Sequence, residues 1–271
     1  MKNTNLDHRA ADKAARASFT NSTRFISIFS KKEQTILSQI NKTLSISKED
    51  QGTLDENQQF PKWASNKDGI GIGTCTGIVQ TSPEEVSAYM FLTDTHEARE
   101  THIAANGPDS CKYPLKTIRT INDHHKINYF CRKLPPPLNP RDWLTRNIIQ
   151  RVDENTIKYF FTSIHDDDPD LPPNFNKTTL TKIVRGKLSC IHEYERLPNN
   201  QTRFTLRLKV DIKGSVPKKI ANMGTSGALD QVYRAYKYFE RDKEIDELEV
   251  SVICCKRGAP DNINSKCKYF N

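Results

Sequence analysis

Residues Arg203-Phe204-Thr205-Leu206-Arg207-Leu208-Lys209-Val210-Asp211-Ile212 followed by Lys213-Gly214-Ser215-Val216-Pro217-Lys218-Lys219-Ile220-Ala221-Asn222 carry a strand, a turn and the start of a helix in one run. Phe204, Leu206, Leu208, Val210 and Ile212 alternate with Thr205, Arg207, Lys209 and Asp211, so one face of the strand is buried and the other wet. Pro217 suits a first helical turn. Beyond it Ile220, Met223, Leu229, Val232, Tyr236 and Phe239 recur at three- and four-residue intervals, the pattern of an amphipathic helix that ends in the charged run 241–247. A half-solvated sheet closed by a long C-terminal helix is therefore expected.

Upstream, 113–121, 125–131, 143–152, 156–164 and 182–194 read as strands, and Asp153-Glu154-Asn155 and Pro198-Asn199-Asn200 join neighbours through hairpin-length turns. The pairing is antiparallel on this reading. Gly69-Ile70-Gly71-Ile72-Gly73 runs into the strand-like 74–79 instead of a helix, which removes the helix N-terminus a phosphate loop needs and points to glycines that permit close backbone approach. Ser82-Pro83-Glu84-Glu85 opens a helix with a cap, a proline and first-turn acids. It is expected to run to about Thr93.

The remaining organisation divides into 1–30, polar and expected to be disordered apart from a helical turn at 12–17, and 31–68, an amphipathic helix with Ile36, Leu37, Ile40 and Leu44 on one side plus a polar linker. Residues 69–248 form the main domain, and 249–271 a tail or the start of a further segment.

Two further blocks give the main domain a family resemblance. Asn139-Pro140-Arg141-Asp142-Trp143 resembles the Pro-Arg-Asp-aromatic loop of the START (StAR-related lipid transfer) family, and the junction at 208–222 resembles that family's Asp-x-Lys-Gly-x-x-Pro-x-x-x-x-Asn segment. His165 and Val184-Arg185-Gly186 resemble its His…Val-Arg segment in the same order. The resemblance spans roughly Gly69 to Leu248. It implies an α+β helix-grip fold in which a curved antiparallel sheet wraps a long C-terminal helix and encloses a hydrophobic cavity.

Composition is compatible with this. The chain has 271 residues, of which 35% are apolar, and a mean hydropathy of −0.70, so polar appendages dilute one core. Lys and Arg exceed Asp and Glu by 41 to 33, a net +8 that favours anionic surfaces, yet the charge is scattered and no zinc-finger spacing or basic tract with interleaved aromatics exists. A membrane headgroup is the preferred anionic partner, not nucleic acid. Seven cysteines without a CxxC spacing, and no secretory signal, point to reduced thiols in a cytoplasmic protein that is peripheral at membranes.

Enzymatic constellations are weak. His124-His125 should point to opposite strand faces and not share a metal, and Asp166-Asp167-Asp168 reads as a solvated loop without a calcium-loop spacing. Cys190 and His192 share a face, but no third group orients the histidine, so they read as a packed thiol and a rim imidazole. No cofactor is expected.

The resemblance supplies the candidate site. Steroid-carrying START members place a buried acid on the strand before the Pro-Arg-Asp loop and an arginine four residues after its aromatic. The ungapped count lands on Asn128 and Asn147, neutral amides able to hydrogen-bond a hydroxyl, ester or headgroup at lower burial cost than an unpaired charge. A one-residue slip would bring Arg146 inward, and Arg119 shares parity with Leu115 and Ile121 as a further inward charge. Val216, Ile220, Met223, Gly224, Gly227 and His165 are the expected gate helix and mouth, with Gly224 and Gly227 either weakening a lid helix or packing it against the sheet. Arg141 and Asp142 are expected to pin the proline-rich loop. The leading expectation is lipid binding and transfer or sensing without catalysis. The alternatives are an interaction domain filled by Tyr129, Phe130, Tyr159, Phe160 and Phe161, and a cyclase-like enzyme that would depend on His165 or His192.

Overall fold

The computed structural model describes residues 3–22, 29–44, 59–67, 69–107, 110–173, 175 and 182–241. The part of the expected 31–68 segment that falls at 45–58, the charged run beyond Arg241 and the tail after 249 lie outside the described residues.

Two helices, α1 (Asn3–Ser22) and α2 (Lys31–Leu44), precede the hairpin β1 (Lys62–Lys67) and β2 (Ile70–Val79). Helices α3 (Pro83–Phe91) and α4 (His96–Asn106) follow, then β3 (Leu115–Asn122), β4 (His125–Arg132), β5 (Arg141–Arg151) and β6 (Thr156–Ser163). After β7 (Val184–Arg185) come β8 (Lys187–Leu197), β9 (Gln201–Asp211), α5 (Lys218–Leu229) and α6 over 231–241. The nine strands form one sheet in the order β1-β2-β9-β8-β6-β5-β4-β3, antiparallel throughout except that the short β7 pairs with β5 in parallel. The curved sheet wraps its C-terminal helices, the helix-grip arrangement.

Strand β9 alternates as its sequence does. Phe204, Leu206, Leu208 and Val210 are buried on the concave face with Val79, Ile149, Ile157, Tyr159 and Tyr194, under Leu229, Val232, Ala235, Tyr238 and Phe239 of α5 and α6. The β2 glycines set the distance between sheet and helix: a methyl at Gly73 would lie 2.8 Å from Leu229, one at Gly77 would lie 2.9 Å from Val232, and one at Gly71 would overlap Thr225. Close approach selects small residues on the facing helix.

That contact rotates α5 away from the expected stripe. Ala221, Thr225 and Leu229 face the sheet, Ile220 is half-buried, and Met223 is 65% exposed. Leu229 keeps its expected place, over Gly73, but opposite Gly71 the helix approaches too closely for a long side chain, so Thr225 and not Met223 faces the sheet there. Gly224 and Gly227 face open space with no atom within 4 Å of an added methyl, so they do not pack on the sheet. The expected single helix is divided at Asp230, not at the glycines.

On the convex face, Phe29 and the α2 residues Leu37, Ile40 and Leu44 pack on Ile148, Phe160 and Ile191. Each such burial contributes about 1.5–3 kcal/mol before ordering costs. The α2 stripe thus finds its cover on the back of the sheet. Helix α3 starts as read, with Ser82 Oγ accepting from the Glu85 N–H and Pro83 in the first turn.

Four elements differ from expectation. Residues 3–22 are helical, not disordered, and α1 is held by polar ties to other elements in place of an apolar stripe. Helix α4 is not among the expected elements, although Thr95 caps it and Gly107, at φ 72°, ends it. Strand β1 is an edge strand with a polar sequence, ordered by its antiparallel pairing with β2. The expected strand over 182–194 also breaks at Gly186, where the chain changes partner from β5 to β9 and a side chain would collide with the Trp143 indole.

Candidate functional site

The register of β4, β5 and β6 decides what the concave wall offers. Asn128 stands opposite Thr145, Lys126 opposite Asn147, and Asn147 opposite Phe161. Asn128, Thr145 and Asn147 all lie on this buried wall. The structure therefore brings the two candidate amides together as diagonal neighbours. The Asn147 amide N–H donates to the Thr145 carbonyl at 2.9 Å and to its hydroxyl at 3.1 Å, and Asn147 Oδ1 accepts from the Tyr159 hydroxyl at 2.7 Å. Asn147 is satisfied within the protein.

Its neighbours are not. Asn128 Oδ1, Trp143 Nε1 and His192 Nε2 are buried on the same wall with no hydrogen-bond partner. Leaving such a group unpaired in an apolar interior costs about 1–3 kcal/mol, so these atoms mark where a bound molecule would be favoured. His192 was expected at the rim but is fully buried, 5.1–5.3 Å ring to ring from Tyr159, Phe161 and Phe204. Burial drives its imidazole down to about 3, so the ring is neutral, with Nδ1 3.0 Å from the Tyr194 hydroxyl. Burial likewise pushes the Lys126 amine down to about 8. Its ammonium donates to the Phe91 carbonyl at the end of α3 and lies 4.1 Å from the Phe91 ring centroid. Tyr159 is one of the aromatics expected inside, whereas Trp143 and Lys126 are legible as wall residues only once parity is fixed.

Arg146 and Arg119 lie on the other side. Arg146 alternates with Asn147 and points to the convex face, where Nη2 meets Asp168 at 2.7 Å and Nη1 meets Asp170 at 2.8 Å. Arg119 stands opposite Ile127 after a register shift in β3, and donates to the Asp170 carbonyl at 3.0 Å. The bulge is what overturns its expected inward parity. Of the five aromatics expected to fill the interior, Tyr129 and Phe160 also belong to convex clusters.

The convex face holds an arrangement the sequence reading missed. His124 sits in the turn before β4, not on the strand, so it and His125 both reach Glu33 Oε1 of α2, at 3.3 and 2.7 Å. Burial raises the Glu33 carboxyl, but hydrogen bonds from Ser30, Asn122 and His125 outweigh it and hold the group at about 2. Arg146 Nη1 lies 2.9 Å from His125 Nε2. A guanidinium can only donate, so Nε2 accepts, Nδ1 carries the proton given to Glu33, and no lone pair of this ring is free for a metal. Asp166 and Asp168, expected to be solvated, pair with Arg185 and Arg146.

Arg141 and Asp142 do tie down their corner, though not to each other. On consecutive strand positions they face opposite ways. Arg141 donates to the carbonyls of Asn139, Ile212 and Lys213, joining the proline-rich loop to the β9–α5 junction. Asp142 accepts from Arg185 at 2.8 and 2.9 Å and from the Tyr129 hydroxyl at 3.0 Å. The Asp142 partner comes from the Val184-Arg185 segment, which no local spacing revealed. His165 is exposed on the rim of a cleft of about 450 Å³ that Ile164, Leu188 and Lys213 also line. Val216 lines a second cleft of about 340 Å³ with Gly69, Ile70 and Ala221.

No protein-family profile and no curated protein matches the chain. Solved structures do. Human StAR-related lipid transfer protein 5 matches at 16% identity and TM-score 0.56, over 78% of this chain and 97% of that one. Human STARD10 matches at 16% and 0.56, over 82% and 85%. The lipid transfer and protein localization domain of human StarD13 (DLC2) matches at 12% and 0.51, over 78% and 98%. These likenesses show a START-like helix-grip fold.

Proposed function

We propose that this START-like chain binds a hydrophobic lipid between its concave sheet and α5–α6, and transfers or senses it without catalysis. The observation that carries the reading is the concave wall itself: an apolar surface interrupted by the unpartnered Asn128 Oδ1, Trp143 Nε1 and His192 Nε2. Sites for small apolar molecules have this character, with burial supplying affinity at about 25 cal/mol per Å² and a few polar atoms supplying orientation. Neutral Asn128 and Asn147 suit an uncharged hydroxyl, ester or carbonyl of a sterol, phospholipid or similar ligand.

Entry proceeds by displacement of α5 with the loops at 133–140 and 165–173, Val216, Ile220 and His165 standing at the mouth. The outward side of α5 supports transient contact with an anionic membrane: Lys218 and Lys219 are exposed beside Met223, so the helix offers cations and one long apolar side chain together. No helix among the described residues is long and apolar enough to cross a membrane. A peripheral, cytoplasmic mode of action follows from this reading.

Native mass spectrometry after mild extraction tests it. A co-purifying or loadable lipid whose retention falls in Asn128→Leu and His192→Leu supports the proposal. Failure to retain any lipid class from a total lipid extract refutes it.

A further inference from the structure

Helix α1 presents one face, Asp12, Arg16 and Phe19, at i, i+4 and i+7. Together they reach three other helices. Both oxygens of Asp12 accept from the first-turn N–H groups of His96 and Glu97, at 2.9 Å each, so α1 caps α4 from outside. Phe19 stacks on Phe91 of α3 at 5.2 Å. Arg16, 1% exposed, donates to Glu85 of α3 at 3.1 Å and to the Tyr238 hydroxyl of α6 at 2.6 Å, with its guanidinium over the Tyr238 ring at 5.1 Å. A buried guanidinium loses a partner at a cost, so moving α6 away from the Arg16 that α1 and α3 hold in place is opposed.

None of these ties reaches α5. Its only side-chain cap is absent, Pro217 making no capping bond, and its outward glycines touch nothing. The C-terminal helix pair is thus unequal across Asp230: α6 is joined to α1 and α3 through the buried Arg16, whereas α5 rests on β1 and the β2 glycines, with the Arg141 ties at its approach and a solvent-exposed Lys62–Asp230 pair, 2.9 Å, at its end.

We propose that α1 is a strap that immobilises α6, confining opening of the interior to α5 with Asp230 as the hinge, so that release of α1 accelerates ligand exchange. The proposal rests on the lipid-binding reading for its last clause only. The immobilisation is a property of the chain alone.

The experiment is hydrogen exchange on the full chain together with transfer of dehydroergosterol, and separately of pyrene-labelled phosphatidylcholine, between phosphatidylcholine vesicles. Arg16→Met keeps the aliphatic stem and deletes the guanidinium. Tyr238→Phe removes only the hydroxyl Arg16 donates to, and serves if Arg16→Met does not fold. In either variant the exchange protection of 231–241 should fall to that of 218–229 while β8 and β9 keep theirs, and transfer should quicken about tenfold, the effect of losing one charge-assisted bond. Undiminished protection of 231–241 overturns the strap. Lost protection with an unchanged transfer rate overturns its control of exchange. No transfer of either probe by the unaltered chain refutes the lipid reading for those classes, and leaves the strap to be judged by hydrogen exchange.

Discussion

Replacing Glu33 by Gln should cost more at neutral pH than its place on a short appended helix suggests. Its carboxylate receives Ser30 N–H and Oγ–H at 2.8 Å each, Asn122 at 3.1 Å and His125 at 2.7 Å, and is 4% exposed. The folded carboxyl sits at about 2 against an ordinary value near 4.5, so it contributes stability that is complete above about pH 4.5 and lost as pH falls through 2. That difference corresponds to about 3 kcal/mol, and the residual bonds of a neutral amide reduce the expected loss in Glu33→Gln to about 2 kcal/mol. For a domain of this size each kcal/mol shifts Tm by about 2–4 °C, so a fall of about 4–8 °C at pH 7 is expected. Urea titrations of both proteins between pH 7 and 2.5 are the assay. The gap should be constant down to about pH 4.5 and narrow below it. A gap that persists unchanged at pH 2.5, or none at pH 7, would show that the buried carboxylate does not anchor α2.

Asp142→Ala removes the acceptor of two Arg185 bonds and of one bond from the Tyr129 hydroxyl, while Arg185 keeps Asp166, and should cost about 2–3 kcal/mol by denaturant melts while the profile of bound lipids stays the same. A changed lipid profile at unchanged stability would reassign Asp142 to the ligand. Gly224→Ala with Gly227→Ala meets no atom within 4 Å and should stabilise α5 by about 0.5–1 kcal/mol per site while slowing vesicle-to-vesicle lipid transfer. Equal or faster transfer in a more stable protein would remove the gating role of α5. Because the His192 imidazole is depressed to about 3, the unfolded chain binds its proton first. Stability should therefore drop as pH falls from about 6.5 towards 3, and His192→Phe should flatten that part of the curve relative to the unaltered chain.

Much of the architecture was legible because it follows from local periodicity. The alternation from Phe204 to Val210 named the buried face of β9, Ser82-Pro83 named the start of α3, and Leu37, Ile40 and Leu44 named the face α2 would bury. The Pro-Arg-Asp block and the strand-to-helix junction carried the helix-grip expectation, and the count from them placed Asn128 and Asn147 on adjacent strands of one face. What the periodicity of a single strand cannot contain is its register against another. Arg146 or Asn147 inward, and Arg119 inward or outward, were decided by cross-strand pairing and by the β3 bulge, since a shift of one residue exchanges the faces. The polar ties were hidden for a different reason: Glu33 and His125, Asp142 and Arg185, and Arg16 and Tyr238 are 92, 43 and 222 residues apart, and an isolated charge in a sequence reads as solvated until its partner is brought to it. Helix α1 is the extreme case. Apart from the helical turn legible at 12–17 it has no apolar stripe to mark it, and the buried carboxylate and guanidinium that order it find their partners only on α3, α4 and α6.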